Sequence, residues 1–335
     1  MPPEGMILTN ITWFLLGFFL LSFAIAIIAV LTGIGGGVIY TPLMLAFTPV
    51  NSLIIRATGL IVAMFSGLVS TGPFMKTGVG NLKLGIICTL CYGLGGFAGA
   101  QGAIWFAKQM GVSGEGIIRI VLGAIVFMLC LYFLRGGRKR EWPEVGKVDR
   151  FSKWLNLPNP YYERSIGKSV SYEINRVGWG LAAMIGIGLI SGFFGMGGGW
   201  AIVPSLNLIM GVPLKVAAAS SSVIIGMGDC ITVWPYIMAG AMIPLFVAPW
   251  LVGQVLGGMV GAQVLIRAGS RVIRYILIGI MFFTSFGLTL NGLSTLGFID
   301  HVPGAVYIAV LLVVLAMTIL AILDRLPRIA TGGKD

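Results

Sequence analysis

Eleven apolar runs fill most of this 335-residue chain, and their lengths limit what it can fold into. Ile11 to Thr32, Val38 to Thr48, Ser52 to Gly72, Leu82 to Ala107 and Gly116 to Leu134 precede a polar loop; Val177 to Ile190, Trp200 to Met210, Leu214 to Ala239, Ile243 to Ile266, Val272 to Leu290 and Pro303 to Leu323 follow it. A helix rises about 1.5 Å per residue, so about 20 apolar residues cross a bilayer. Outside Arg135 to Arg176, 293 residues carry only 18 charges, too few to coat a water-facing surface. A soluble enzyme is excluded, and the solvent for most of the chain is lipid. No Lys or Arg precedes the first run, so that run is expected to be a retained span rather than a cleaved signal.

Two runs, Val38 to Thr48 and Trp200 to Met210, are 11 residues each and too short to cross. Each follows a glycine cluster, Gly33-Ile34-Gly35-Gly36-Gly37 and Gly195-Met196-Gly197-Gly198-Gly199, and the clusters stand 162 residues apart. The same offset pairs Pro42 with Pro204, Ala57 with Ala219, Pro73 with Pro235, Leu94-Gly95-Gly96 with Leu256-Gly257-Gly258, and Gly99-Ala100-Gln101 with Gly261-Ala262-Gln263. Fifteen identities in 69 aligned positions, most of them Gly or Pro, identify a duplicated half. The expected organisation is a first membrane repeat over 1–134, a basic loop over 135–176, and a second repeat over 177–335 that ends in a helix and a short tail.

The loop holds 10 of the 22 basic residues and is expected in the cytoplasm by the positive-inside rule. The formal charge of +11 is thus read as a cytoplasmic excess of Lys and Arg rather than as a nucleic-acid surface. If each glycine cluster breaks a helix that re-enters, the Arg267 to Arg274 cluster and the basic C-terminus also fall inside, with the N-terminus outside. If the short helices crossed instead, both basic segments would fall outside. A hairpin plus three spans per half is an odd number, so the predicted fold is an all-α polytopic membrane protein of two inverted repeats, the pattern of secondary transporters.

Irregular backbone at membrane depth persists only where it is buried in protein or lines a wet cavity. The short helices begin right after the clusters, so their positive ends and free N–H groups point toward the membrane interior. Two such ends make a site for a small anion, with Gly35, Gly36, Gly37, Gly197, Gly198 and Gly199 forming it. Close helix packing is the plainer use of the same glycines. Thr58 pairs by offset with Ser220, and Ser221 follows; their hydroxyls are candidates to bind an oxyanion or, equally, bond back to the preceding turn. Asp229 lies 15 residues into its run; an acid at that depth is read first as functional, here as a proton-coupling group, with a neutralised structural acid as the alternative. Arg56 either attracts an anion or snorkels to the surface. Gln101 and Gln263 are expected to be buried cross-braces.

Other motifs lead elsewhere or nowhere. Cys88 and Cys91 form a CxxC within an apolar run, which admits a membrane redox enzyme as a further reading; more plainly, all four cysteines act as small hydrophobes. Gly167-Lys168-Ser169 imitates the end of a P-loop, but Tyr162 stands where the first glycine must be. No Cys/His or His/Glu cluster has metal-ligand spacing, and His301 is the sole histidine, so neither a metal nor a cofactor is expected.

The paired glycine clusters, each followed five residues later by Pro42 or Pro204, and then Ala57-Thr58 and Ala219-Ser220, resemble the TauE/SafE family of sulfite exporters and 4-toluene sulfonate uptake permeases. The resemblance implies transport of a small sulfur-containing anion (sulfite, sulfate, thiosulfate or an organosulfonate) across the bacterial inner membrane, driven by protons. The partners implied are that anion and the lipid bilayer, with no nucleic acid. A passive anion channel is the alternative of a different class.

Overall fold

The computed structural model describes residues 4–32, 35–48, 50–76, 78–135, 160–163, 168–265 and 270–300, with isolated positions at 152, 157 and 303–316. Among the described residues seven helices are long and apolar enough to cross a membrane. Helix α1 (Glu4–Thr32) is followed by the short α2 (Gly37–Phe47) and by α3 (Ser52–Lys76). A helical stretch over Leu82–Arg135 kinks at Gly111, φ 52° and ψ −134°, into α4 (Leu82–Gly111) and α5 (Ser113–Leu131). The second half repeats this order with α6 (Val177–Phe194), the short α7 (Gly199–Leu208), α8 (Leu214–Thr232), the one-turn α9 (Trp234–Met238), α10 (Pro244–Leu265) and α11 (Ser270–Thr295).

The spans differ from expectation in several places. Helix α1 starts seven residues before the predicted run and, at about 1.5 Å per residue, is roughly 43 Å long. The run from Leu214 to Ala239 divides at Val233 because Pro235 is the second residue of a new helix and cannot supply an N–H to continue the old one. The last run, Pro303 to Leu323, lies largely outside the described residues. So does much of the basic loop, whose described part holds an antiparallel ribbon, β1 (Tyr161–Glu163) with β2 (Lys168–Val170). Lys168 and Ser169 therefore open a strand rather than a helix, which removes the P-loop reading. The loop is tied to the helices through Asn81, whose amide donates to the Leu157 carbonyl at 2.6 Å and to the Tyr172 hydroxyl at 2.9 Å.

The chain forms two compact units, each drawing on both halves: one of residues 1–41, 51–105 and 138–266, the other of 42–50, 106–137 and 267–335. In the first, glycines let helices approach backbone to backbone, and the contacts recur at the offset of 162. Gly95 packs on the Ile185 carbonyl, and Gly257 packs on that of Phe23, 162 residues before Ile185. Gly99 meets Leu189 just as Gly261 meets Ile27. These four glycines serve close helix packing. In the second unit, α5 and α11, which the offset makes counterparts, run antiparallel: Gly116 faces Gly292, the Ser285 hydroxyl donates to the Gly123 carbonyl at 2.8 Å, and the Cys130 thiol donates to the Ile278 carbonyl at 3.7 Å. Asn291 ties α11 to the end of α2 by donating to the Ala46 carbonyl at 2.9 Å.

Large apolar side chains cover the outer helix faces, including Leu90, Leu94 and Trp105 on α4 and Trp179 on α6. In water such a surface would aggregate; against acyl chains it is at rest. Gln101 lies on such a face, exposed rather than a buried brace, and the side chain of Gln263 lies outside the described residues.

Candidate functional site

Both glycine clusters interrupt helices as their composition predicts. Gly35 takes φ +86°, and Gly195 and Gly197 take +68° and +73°, left-handed values that side chains with a Cβ rarely adopt. At Gly195 the turn is a helix C-terminus of the usual glycine kind, with the N–H groups of Gly195 and Met196 both donating to the Ser191 carbonyl, at 2.8 and 3.3 Å. The short helices restart immediately: Tyr40 N–H donates to the Gly36 carbonyl at 2.9 Å, and Ile202 N–H to that of Gly198 at 3.0 Å.

The two breaks adjoin inside the first unit. A Cβ added to Gly37 would stand 2.5 Å from the Gly59 carbonyl oxygen and 2.8 Å from that of Met196 in the second break. The Thr41 hydroxyl donates to the Gly195 carbonyl at 2.5 Å. The carbonyls that the second break frees at the end of α6 are met by side chains from elsewhere: the Tyr236 hydroxyl donates to Gly192 at 2.8 Å, and Arg56 Nη1 to Phe193 at 3.4 Å.

Arg56 is thereby placed against expectation. It is 0% exposed, so it does not snorkel; it lies on the C-terminal end of α6, where a cation meets the negative end of the helix dipole, with its guanidinium 6.0 Å from the centroid of the Phe193 ring. The hydroxyls after the breaks have local partners. Thr58 donates to the Ile54 carbonyl at 2.8 Å, Ser221 to that of Ala218 at 2.8 Å, and Ser220 accepts the Asn81 N–H at 3.0 Å. The hydroxyl-lined space is nearby but different: a cavity of about 10 Å³ to the centre of a water-sized sphere, lined by Gly35, Ser66, Gly67, Ser70 and Ser222 among others, has room for about one water.

Asp229 is 0% exposed and faces the second break. Its Oδ1 accepts the Tyr92 hydroxyl at 2.6 Å, and Tyr92 in turn is 2.7 Å from the Ser191 Oγ. Its Oδ2 has no hydrogen-bond partner among the described residues and would stand 3.3 Å from a Cβ at Gly197. Tyr92 itself packs on Gly198. Its counterpart 162 residues on, Gln254, packs on Gly36. Sequence reasoning passed over Tyr92, Tyr236, Thr41 and Gln254; the signal for Tyr92 and Gln254 was two polar residues at one offset in apolar runs. Cys88 and Cys91 are free thiols, Cys88 buried and Cys91 half-buried. Among the described residues, no group of three or more His, Cys, Asp or Glu could hold a metal.

The family described as sulfite exporter TauE/SafE matches residues 18–288. The chain belongs to the TauE/SafE family. Two relatives are described as probable membrane transporters. The probable membrane transporter protein YunE of Bacillus subtilis is 26% identical over 242 residues, 70% of this chain and 82% of its own length. The probable membrane transporter protein YfcA of Escherichia coli K12 is 24% identical over 245 residues, 72% of this chain and 77% of its own. No solved structure matches the chain. This TauE/SafE protein is a multi-pass membrane transporter. The matched region contains both breaks and Asp229 and runs through most of α11.

Proposed function

We propose that this TauE/SafE protein is a proton-driven secondary transporter that moves a small sulfur-containing anion, one of sulfite, sulfate, thiosulfate or an organosulfonate, across the inner membrane. The observation that carries the reading is the meeting of two helix breaks, Gly37 against the Met196 carbonyl, in a chain whose described residues hold seven helices long and apolar enough to cross a membrane. Each break starts a helix of ten residues or more, whose first N–H groups have no partner within it and whose dipole favours an anion. The family description names sulfite export. The antiparallel course of α5 and α11 supports inverted halves, and with them a rocking exchange of access around the breaks.

In this reading, the backbone at Gly35, Gly36, Gly37, Gly197, Gly198 and Gly199 makes the anion's first contacts. Thr58 and Ser221 join only by releasing their present bonds, whereas Ser220, which accepts its bond from Asn81, keeps its O–H to donate. Arg56 holds the end of α6 and contributes positive charge nearby.

Asp229 supplies the coupling. The breaks adjoin through Ala63, so an ionised Asp229 about 8 Å from an anion at the first break repels it by about 2 kcal/mol at an effective dielectric constant near 20, and the anion and a proton on Asp229 enter together. Proton and anion therefore travel the same way. The positive-inside rule, applied to the basic loop and the Arg267 to Arg274 cluster, supports a cytoplasmic side for those segments and the C-terminus, with the N-terminus outside.

Purified protein in liposomes, given each of the four anions under an imposed proton gradient, tests the substrate. At least one is expected to accumulate. Flux of none of them would refute the sulfur-anion reading, and gradient-independent equilibration would indicate a channel instead.

A further inference from the structure

The two breaks carry different chemistry. Beside the second, Tyr92 engages Asp229. Beside the first stands the counterpart of Tyr92, Gln254, and the counterpart of Asp229 is Gly67, so no acid accompanies it. Gln254 is 0% exposed, and neither its amide nitrogen nor its amide oxygen has a hydrogen-bond partner among the described residues. The amide is pressed against Gly36: a Cβ there would overlap Nε2 and stand 2.9 Å from Oε1.

One turn earlier on α10 is Trp250, also 0% exposed, whose indole N–H is likewise unmet among the described residues. Its ring packs edge to face on Tyr40 with centroids 4.5 Å apart. Gly36 and Tyr40 are one turn apart at the start of α2, and Gln254 and Trp250 one turn apart on α10. The two pairs therefore lie side by side, and the amide and the indole share the face turned to the start of α2.

Buried polar groups without partners are costly and rare in native proteins. An amide and an indole left so on one helix face, at the N-terminus of an 11-residue helix, form an unfilled set of donors. We infer that Gln254 and Trp250 are the side chains that bind the transported oxyanion, the amide N–H and indole N–H donating to its oxygens together with the first N–H groups of α2. The inference rests on the transporter reading above and narrows it: the first break receives the anion and the second carries the proton. Neutral donors suit this role, because a fixed counter-charge would hold the anion too tightly to release it.

The test uses three variants of the whole protein in liposomes: Trp250→Phe, which keeps a ring and removes the N–H; Gln254→Met, which keeps the length and removes the amide; and Gln254→Glu, which adds a like charge. Counterflow of sulfite, sulfate, thiosulfate, methanesulfonate and phosphate gives KM and maximal rate, and the melting temperature is read with and without each anion. Losing one hydrogen bond to a charged group raises KM by roughly tenfold to a hundredfold; we expect that for Trp250→Phe and Gln254→Met, and more for Gln254→Glu. A merely structural role would lower the melting temperature and leave KM alone. Folded variants with KM within twofold of wild type overturn the inference and leave the transporter reading standing. A wild type that moves phosphate but no sulfur anion, with KM still dependent on Gln254, keeps the inference and overturns the proposed substrate. If the variants fail to fold, wild-type protein decides: a melting temperature that none of the anions raises overturns the binding site.

Discussion

Substituting Gly37 by alanine probes the meeting of the breaks without removing any side chain. The added Cβ would lie 2.5 Å from the Gly59 carbonyl oxygen, 2.8 Å from the Met196 carbonyl oxygen and 2.9 Å from the Ala63 Cβ. Carbon and oxygen in unstrained contact stand about 3.3–3.6 Å apart, so two backbone carbonyls would have to retreat by several tenths of an ångström. One belongs to α3 and the other to the second break, and neither can swing away as a side-chain tip would. Overpacking of this kind costs about 1–3 kcal/mol, and contact with backbone on two sides places Gly37→Ala near the top of that range. The matched control is Gly186→Ala on α6, where the added Cβ meets nothing within 4 Å and removing a mid-helix glycine stabilises by roughly 0.5–1 kcal/mol. The pair should differ by about 3–4 kcal/mol, which at a few degrees per kcal/mol separates their melting temperatures by about 6 °C or more. Thermal unfolding of the purified variants in detergent, followed by near-ultraviolet circular dichroism, measures this. Equal melting temperatures, or a Gly37→Ala protein more stable than the control, would refute the placement of the two breaks against each other.

Two further substitutions address the surroundings of the site. Tyr236→Phe removes the hydroxyl that donates to the Gly192 carbonyl at 2.8 Å and should cost about 1–3 kcal/mol by leaving that buried carbonyl unmet; denaturant titration checks it, and an unchanged midpoint would contradict the role given to Tyr236. Replacing Cys88 and Cys91 together by alanine should leave transport at the wild-type rate, since neither thiol takes part in the proposed cycle; loss of flux from a folded double variant would revive the redox reading.

Much of the fold was legible because glycine and proline leave a trace that apolar side chains do not. The clusters at Gly33 and Gly195 marked both breaks, and the shared offset marked the packing of Gly95, Gly99, Gly257 and Gly261. Identity at the offset, however, marked breaks and packing contacts alike and did not separate one from the other. Gln101 and Gln263 matched and drew attention, yet Gln101 faces outward. The side chains to which the proposal gives chemistry stand where the halves diverge: Asp229 opposite Gly67, Gln254 opposite Tyr92, Arg56 opposite Ala218. Asp229 could be found because a charge in an apolar run is conspicuous. Tyr92 and Gln254 left only a weak trace, two unlike polar residues at the shared offset, because a lone tyrosine or amide in such a run reads as packing until the helix it touches is known. The surface reading of Arg56 failed for a related reason: its position near the start of α3 suggested water, whereas the end of α6, 137 residues away in sequence, supplies its partner.

The central claim is that a proton on Asp229 drives the anion uphill. Its most direct test is the accumulation ratio of the transported sulfur anion in liposomes holding either wild type or Asp229→Asn, with and without an imposed proton gradient. The account predicts that wild type concentrates the anion only when the gradient is present, while Asp229→Asn still exchanges labelled for unlabelled anion but concentrates none. Accumulation by Asp229→Asn equal to that of wild type would contradict it.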